Sequence, residues 1–328
     1  MTLILTEASI RYVVQASDRL LTQGRRQFDP VSNKTIVYLC RDALVSIAYS
    51  GRAYLDETPT DQWIAELLTD EHFERSQPGF LKIGPPKRSL DIGQSIELLK
   101  TELGSAISRL SPSVNSPTLH VIVAGWQWGK RQARPIATHV VNLPATPSIF
   151  YVEKLPRYWH FEQTQENRSL RKVYFTVVPT SNPLSRDEQR RTFERLLHTN
   201  TSPNDSTQVL IDAIRLAASK KPKVVGDDCM CVYLPPPSSR VAEVVFVPPQ
   251  EQRIAMVGRH YAELPAAFSP WVIGRGLIAA PSIVVGTSTI TLGPFTVKIR
   301  APVVPSDAGI TGVWSSQRRP LDPRRRRP

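Results

Sequence analysis

The hydrophobic pattern of the first 247 residues predicts two blocks of strands, each followed by a pair of helices, and then a last pair of strands. β-Branched and apolar runs bounded by turn residues are typical of strands, and apolar residues spaced three and four apart are typical of amphipathic helices. The pattern predicts strands at 3–5, 12–16, 35–39, 44–49, 119–124, 137–142, 172–178, 229–234 and 241–247.

Four helices are predicted from the 3.6-residue periodicity and from N-terminal capping residues. Thr58 is expected to cap the first helix, with Pro59 at the first helical position. The second helix is expected over 90–110 and the fourth over 207–219. Ser185 and Glu188 form a capping-box pattern at the start of the third helix.

The grouping of the helices decides the predicted fold class. Single helices between strands would indicate a doubly wound parallel sheet, whereas paired helices favour antiparallel sheets with helices outside them. The expected class is therefore α+β. We expect one domain over 1–247, a β-rich extension packed on it over 248–316, and a disordered tail over 317–328; strands are predicted in the extension at 283–285, 289–292 and 295–299.

Composition excludes several classes of protein. With 41% hydrophobic residues the chain can bury a core, so global disorder is excluded. Three cysteines exclude a disulfide scaffold, and no apolar run is long enough to predict a membrane span. The first residues lack the basic region of a secretory signal, so we expect a cytoplasmic protein.

Part of the net charge of +12 is concentrated in the predicted tail. Its six arginines, among them the run Arg324–Arg327, stand against the single acid Asp322. A solvated extension is the favoured interpretation, and contact with nucleic acid through this run is the minority alternative.

The six histidines and three cysteines lack metal-ligand spacing, so no metal or other cofactor is expected.

Thr2 is the first candidate for chemistry. The initiator methionine is readily removed when the next side chain is small, and its removal would leave Thr2 with a free α-amine beside its hydroxyl. Such an amine has an unperturbed pKa of about 7.7–8.0 and can take the hydroxyl proton directly or through a water. Threonine at position two is common, so its significance depends on its neighbours.

Two further residues stand at spacings that match a known family, and a glycine matches it by its place in the predicted element order. Asp18 lies 16 residues after Thr2 and Lys34 lies 32 residues after it. Gly51 lies in a turn between the fourth strand and the first helix. The pattern resembles the proteasome β-subunit family of N-terminal nucleophile (Ntn) hydrolases, whose mature N-terminal threonine is accompanied by an Asp and a Lys at these offsets.

The resemblance implies a four-layer αββα sandwich through residue 247 and a role for each matched residue. Thr2 would be the nucleophile and its amine the base. Lys34 would lower the cost of forming the alkoxide and keep the amine neutral, and Asp18 would hold Lys34 in place. The Gly51 amide would stabilise the tetrahedral oxyanion, while Arg19 matches a structural arginine of the family.

Other parts of the family pattern are matched loosely. The family has an additional Ser on a middle strand, and an Asp followed by a Ser-Gly-Gly turn after the fourth helix. Gly226 is the candidate for the turn glycine, and Asp227 or Asp228 for the acid. Residues 248–328 have no counterpart in proteasome β-subunits, so the chain resembles a bacterial proteasome-like relative more than the proteasome itself.

The leading functional interpretation is a threonine-type hydrolase that cleaves an amide bond, with a peptide as the favoured substrate, through an acyl-enzyme ester on Thr2. Similar proteins form rings or stacked oligomers, which implies a homo-oligomer. The alternative is a catalytically silent Ntn-fold protein used in assembly, and a third candidate is a non-peptide amidase. Thr2→Ala and Lys34→Ala are each expected to abolish acylation and to leave the fold intact.

Overall fold

The structure is a computed structural model. It describes residues 2–23, 26–29, 32–74, 81–109, 118–129, 132–143, 146–154, 158–163, 170–179, 183–199, 202–248, 269–282, 284 and 287–301. The predicted tail over 317–328, and most of the predicted strand over 283–285, lie outside these residues.

The described residues form two large sheets of eight strands each. In spatial order, the first sheet contains β13 (Tyr158–Gln163), β14 (Leu170–Val178), β1 (Ile4–Ser9), β2 (Val13–Asp18), β15 (Cys229–Leu234), β16 (Val241–Val247), β20 (Phe295–Arg300) and β19 (Thr287–Leu292). The second contains β12 (Thr146–Lys154), β11 (Ala133–Leu143), β10 (His120–Trp128), β6 (Ala43–Ser50), β5 (Thr35–Leu39), β17 (Trp271–Ile273), β18 (Leu277–Ala279) and β9 (Leu81–Ile83).

Neighbouring strands pair antiparallel in both sheets, except that β16 pairs parallel with β20 and β5 pairs parallel with β17. Two short hairpins stand apart from the sheets, one made of β3 (Leu21–Gln23) and β4 (Arg26–Asp29), the other of β7 (Tyr54–Leu55) and β8 (Thr58–Pro59). The described strands that follow residue 248 therefore belong to the two main sheets: β17 and β18 extend the second, and β19 and β20 extend the first.

Four helices lie within the described residues: α1 (Thr60–Thr69), α2 (Ile92–Ser108), α3 (Arg186–Thr199) and α4 (Pro203–Lys220). The predicted capping box of α3 is present, with the Ser185 amide donating to Glu188 Oε2 at 2.8 Å and the Glu188 amide donating to Ser185 Oγ at 3.3 Å. None of these helices is long and apolar enough to cross a bilayer.

The predicted start of α1 is wrong. Its N-cap residue is Pro59, which makes no side-chain capping bond, and Thr58 pairs with Leu55 in the β7–β8 hairpin. The reason is that the hairpin takes up Thr58 and Pro59, so the helix begins one residue later than the Thr-Pro signal indicates.

Three hydrophobic clusters show which elements pack together. One combines residues of both sheets, such as Ile4 of β1 and Ile122 of β10. A second joins the second sheet to α1 and α2, and a third joins the first sheet to α3 and α4. Strand β1 illustrates the alternation, since Leu5 packs toward the helices and its neighbour Ile4 toward the other sheet. The predicted α+β class is confirmed.

The Glu7 carboxyl group is buried on the helix side of β1, beside Ser206 of α4. Burial raises its pKa to about 8, against an ordinary value of 4.5. Between these two values the folded protein holds a proton that the unfolded chain releases. This contribution to the free energy of unfolding is therefore fully present below pH 4.5 and is lost as the pH rises through about 8.

Glu7→Gln is expected to remove this dependence, because an amide does not ionise. The free energy of unfolding of the variant, relative to wild type, should rise by about 2–4 kcal/mol between pH 5 and pH 9. Urea unfolding at several pH values measures it. Glu243→Gln, at a partly exposed glutamate that pairs with Arg300 on the surface, is the control and should show no such rise. A constant difference between Glu7→Gln and wild type would contradict the prediction.

Candidate active site

Thr2 lies just before β1 and is only 4% exposed. Its main chain is held by Ser50, the last residue of β6 in the opposite sheet. The Thr2 nitrogen donates to Ser50 Oγ at 3.2 Å, and Ser50 Oγ donates to the Thr2 carbonyl oxygen at 2.6 Å. This pair of hydrogen bonds fixes the start of the first sheet against the end of a central strand of the second.

Asp18 connects the segment at Thr2 to the other predicted site residues. It is the last residue of β2 and is fully buried. Its Oδ1 accepts from the Leu3 amide at 2.6 Å. Its Oδ2 accepts from the amides of Leu20 at 3.2 Å and Gly226 at 3.1 Å, and from Lys34 Nζ at 3.3 Å. A carboxylate with this many donors is held in one position.

Lys34 precedes β5 and completes the arrangement from the second sheet. Its side chain has no exposed surface, and besides the ion pair with Asp18 its Nζ donates to the Leu20 carbonyl oxygen at 2.5 Å. A buried ion pair contributes little net stability compared with apolar residues of the same size. A lysine and an aspartate kept in this position are therefore a candidate functional feature rather than a contribution to packing.

Arg19 and Asp228 form a second buried ion pair next to Asp18. Arg19 Nη1 is 3.3 Å from Asp228 Oδ1, its guanidinium lies 4.8 Å from the centre of the Phe246 ring, and its amide donates to the Asp228 carbonyl oxygen. Burial raises the pKa of Asp228 to about 6, although Arg19 acts in the opposite direction. This pair fastens the start of β15 to the turn after β2.

The two glycines of the predicted site have steric reasons to be glycine. Gly51 has a φ of +119°, and a Cβ there would lie 2.2 Å from the Thr118 carbonyl oxygen. A Cβ on Gly226 would lie 2.8 Å from the Leu20 Cβ. Gly51 is connected to the site through its chain neighbour Ser50. Gly226 is connected to it through the hydrogen bond that its amide donates to Asp18.

The structure thus brings together most of the residues that the spacing singled out. Asp18, Lys34 and Gly226 are joined by hydrogen bonds, and Thr2 is connected to them through its chain neighbour Leu3, whose amide donates to Asp18. Arg19 and Asp228 adjoin this set. Asp227 is exposed and is not part of this set. Of the two candidates for the family's acid after the fourth helix, Asp228 is the one that lies next to this set, through its ion pair with Arg19.

Ser50 is the site residue that the sequence did not indicate. It stands beside the glycine that the family resemblance singled out, but a serine at a strand end has no distinctive spacing. Its contact with Thr2 spans 48 residues and two sheets. Only the packing of β1 against β6 reveals it.

Ser50→Ala is expected to slow acylation at Thr2 about 10-fold or more and to lower the free energy of unfolding by about 1–3 kcal/mol, because two buried main-chain groups of Thr2 lose their partner. The rate at which a β-lactone labels Thr2 measures the first effect, and urea unfolding measures the second. Ser46→Ala is the matched control: Ser46 lies on the same strand and face and donates to Gln15 Oε1 at 2.6 Å. It should cost stability without slowing acylation. Labelling of Ser50→Ala at the wild-type rate would contradict the prediction.

No metal centre is found within the described ranges, where no three His, Cys, Asp or Glu side chains are grouped to hold an ion. The three cysteines are free and buried, and burial raises the pKa of the Cys229 and Cys231 thiols. Thiols held in the neutral form are poor nucleophiles, so the arrangement around Thr2 is the candidate active site.

Comparison with known proteins adds a limited similarity of fold. No protein-family model matches the chain, and no curated protein matches it either. Among solved structures, Anbu (ancestral beta-subunit) from Yersinia bercovieri is similar to it, with a TM-score of 0.44 and 12% sequence identity over 71% of this chain and 81% of that chain. A similarity at this level carries no functional conclusion.

Proposed function

We propose that this protein is a threonine-type N-terminal nucleophile hydrolase that cleaves an amide bond. The observation that carries the proposal is the fully buried Lys34–Asp18 pair. Asp18 accepts a hydrogen bond from the amide of Leu3, the residue next to Thr2. A charge pair removed from water adds little net stability compared with apolar residues of the same size, so packing alone does not account for it. Beside a candidate N-terminal nucleophile, we assign it an electrostatic role.

The proposed architecture is the four-layer αββα sandwich of the Ntn hydrolases. Its support is the order of the three hydrophobic clusters, from α1 and α2 to the second sheet, from that sheet to the first, and from the first sheet to α3 and α4. Thr2 and Ser50 face each other between the two sheets in this arrangement.

In the proposed mechanism, cutting the peptide bond before Thr2 creates a free α-amine. The amine takes the proton of the Thr2 hydroxyl as its oxygen attacks the substrate carbonyl carbon. The tetrahedral intermediate then collapses, the carbon–nitrogen bond breaks, and the ammonium gives its proton to the leaving amine. A water molecule, deprotonated by the same amine, then attacks the carbonyl carbon of the ester on Thr2. The bond between that carbon and Thr2 Oγ breaks, the ammonium returns its proton to Thr2 Oγ, and the carboxylic acid product leaves.

The charged groups support this sequence of steps. The Lys34 ammonium stabilises the developing alkoxide and favours the neutral form of the amine, as nearby charges of the same sign do. Asp18 keeps Lys34 charged and in position. The Gly51 amide is the proposed oxyanion donor, a contribution that mutagenesis in other enzymes places at about 3–4 kcal/mol per donor.

A peptide is the proposed substrate, and a cytoplasmic homo-oligomer is the proposed state of the protein. Nucleic-acid contact through Arg324–Arg327 remains a minor prediction.

The second candidate function is a silent Ntn-fold assembly protein. The buried position of Thr2 favours it, since only 4% of this residue is exposed to an incoming substrate.

A turnover experiment separates these candidates. Protein whose first residue has been verified as Thr2 is incubated with a mixed peptide library and, separately, with simple acyl amides, and new amino groups are quantified. Peptide cleavage that is absent in Thr2→Ala is the expected result. Cleavage of the simple amides alone would identify an amidase, and no cleavage of either would support the assembly role.

A further inference from the structure

The β17–β18 hairpin, which the proposed mechanism does not use, lies beside the strand that follows Lys34. β17 pairs parallel with β5, with Trp271 opposite Ile36, and β18 pairs antiparallel with β17. The hairpin comes after residue 248, where the family resemblance ends. This part of the chain therefore borders the segment that carries a candidate site residue.

Asn33 joins the hairpin to that segment. Its side-chain Nδ2 donates to the Ser269 carbonyl oxygen at 2.5 Å. From β6, the Tyr49 hydroxyl donates to the Asn33 carbonyl oxygen at 3.3 Å, and the Tyr49 amide donates to the Lys34 carbonyl oxygen at 3.1 Å. The main chain at 33–34 is therefore held both by β6 and by the hairpin.

The end of the hairpin that accepts this hydrogen bond is itself fixed. The Ser269 amide donates to the Ser282 carbonyl oxygen at 2.8 Å, and the Ser282 amide donates to Ser269 Oγ at 2.9 Å. Ser269 is buried, and the centre of the Trp271 ring lies 4.7 Å from that of Phe73. The Ser269 carbonyl oxygen is therefore an anchor with a defined position.

Packing alone does not account for an asparagine at position 33. The residue is 7% exposed, and its Oδ1 is buried with no hydrogen-bond partner in the part of the chain that the structure describes. A buried polar atom without a partner lowers stability relative to an apolar side chain of the same shape. What the side chain does provide is the Nδ2 bond to Ser269, which determines where the main chain before β5 lies.

The position of this main chain matters because the Lys34 side chain starts from it. Lys34 Nζ donates to Asp18 Oδ2 and to the Leu20 carbonyl oxygen, out of contact with solvent. The interaction between charges is strong in a buried site and falls with distance. A displacement of the Lys34 ammonium would therefore change both its stabilisation of the Thr2 alkoxide and its effect on the pKa of the Thr2 amine.

We propose that Asn33 is a positioning residue for Lys34, and that the β17–β18 hairpin is part of the catalytic apparatus because Ser269 holds Asn33 in place. This role rests on the proposed hydrolase function and deepens it. It gives the chain after residue 248 a task in the reaction, namely to fix the segment from which Lys34 reaches the site.

The rate at which a β-lactone labels Thr2, measured against pH on protein whose first residue is verified as Thr2, tests the proposal. Asn33→Leu removes the Nδ2 donor at similar size and retains the titratable neighbours Asp18 and Tyr49. Its maximal labelling rate should fall about 5-fold, the effect typical of one hydrogen bond. The pH of half-maximal labelling should rise by about half a unit or more, because a more distant ammonium lowers the pKa of the Thr2 amine less.

Gln189→Leu is the matched control. Gln189 lies on α3 and is also a buried amide that donates to a main-chain carbonyl oxygen, that of Leu184, at 3.0 Å. The substitution should lower stability in urea unfolding and leave the labelling rate and its pH midpoint unchanged. A shift of the midpoint in Asn33→Leu is then not explained by lost stability.

Ser269→Ala tests whether the hairpin acts through Asn33. It removes the acceptor of the Ser282 amide and loosens the anchor, so the pH midpoint should move in the same direction as in Asn33→Leu. In an Asn33→Leu background it should move the midpoint no further. The single variant also serves if Asn33→Leu does not fold, which thermal melting would reveal.

The outcomes separate the two proposals. No labelling of wild-type protein at Thr2 would overturn the hydrolase function, and this inference with it. If wild type labels, the positioning role is wrong when the midpoint is unshifted in folded Asn33→Leu or in Ser269→Ala. It is also wrong when Ser269→Ala shifts the midpoint equally with and without Asn33. In each of these cases the hydrolase function stands.

Discussion

Thr2→Ala is expected to take up no β-lactone and to hydrolyse no amide, a loss of at least about 1,000-fold, since removing the nucleophile of an acyl-transfer enzyme leaves only the residual catalysis of its binding groups. The fold should change little. Ser50 contacts the main chain of Thr2, so both hydrogen bonds persist in the variant. The measurements are adduct formation by mass spectrometry and urea unfolding.

Thr2→Ser is the matched control for this prediction. It keeps the hydroxyl group and the α-amine and loses one methyl group, so labelling should remain measurable. Labelling or turnover in Thr2→Ala at the wild-type rate would place the nucleophile elsewhere and remove the basis of the mechanism.

Lys34→Met is expected to abolish acylation and also to destabilise the protein by about 3–5 kcal/mol, because it leaves Asp18 as a buried charge without its partner. From the sequence alone we expected loss of Lys34 to leave the fold intact. The complete burial of both side chains changes that expectation. Acylation should therefore be measured at low temperature, where the variant is folded, and stability by urea unfolding.

Lys100→Met is the control, because Lys100 pairs with Glu97 on the helix surface. Loss of such an exposed pair typically changes stability by about 0.5 kcal/mol or less. A folded Lys34→Met protein that labels as fast as wild type would contradict the electrostatic role. A Lys34→Met protein as stable as the Lys100→Met control would contradict the account of the buried pair.

Much of the fold could be predicted from the sequence, since local pattern and structure agree in the core strands. The strands predicted at 35–39, 229–234 and 241–247 have the observed bounds. Strand β12 was missed because Pro147 interrupts its pattern, and the proline is tolerated since β12 is the edge strand of its sheet. Strands β17 and β18, three residues each, are too short to show a period.

The candidate site could be predicted only where sequence spacing carries the information. Asp18 and Lys34 stand at offsets that a known family shares, and the structure places them in one hydrogen-bonded set. Their catalytic roles remain predictions. Ser50 reaches Thr2 through packing between the two sheets, which no spacing along the chain encodes.

The most direct test of the central claim is the intact mass of the purified protein before and after treatment with a β-lactone. Attack by Thr2 Oγ opens the lactone ring and adds the full mass of the reagent. The account predicts a chain that begins at Thr2 and takes one adduct, which fragmentation assigns to that residue. A chain that begins at Thr2 and takes no adduct, or an adduct on another residue, would contradict it.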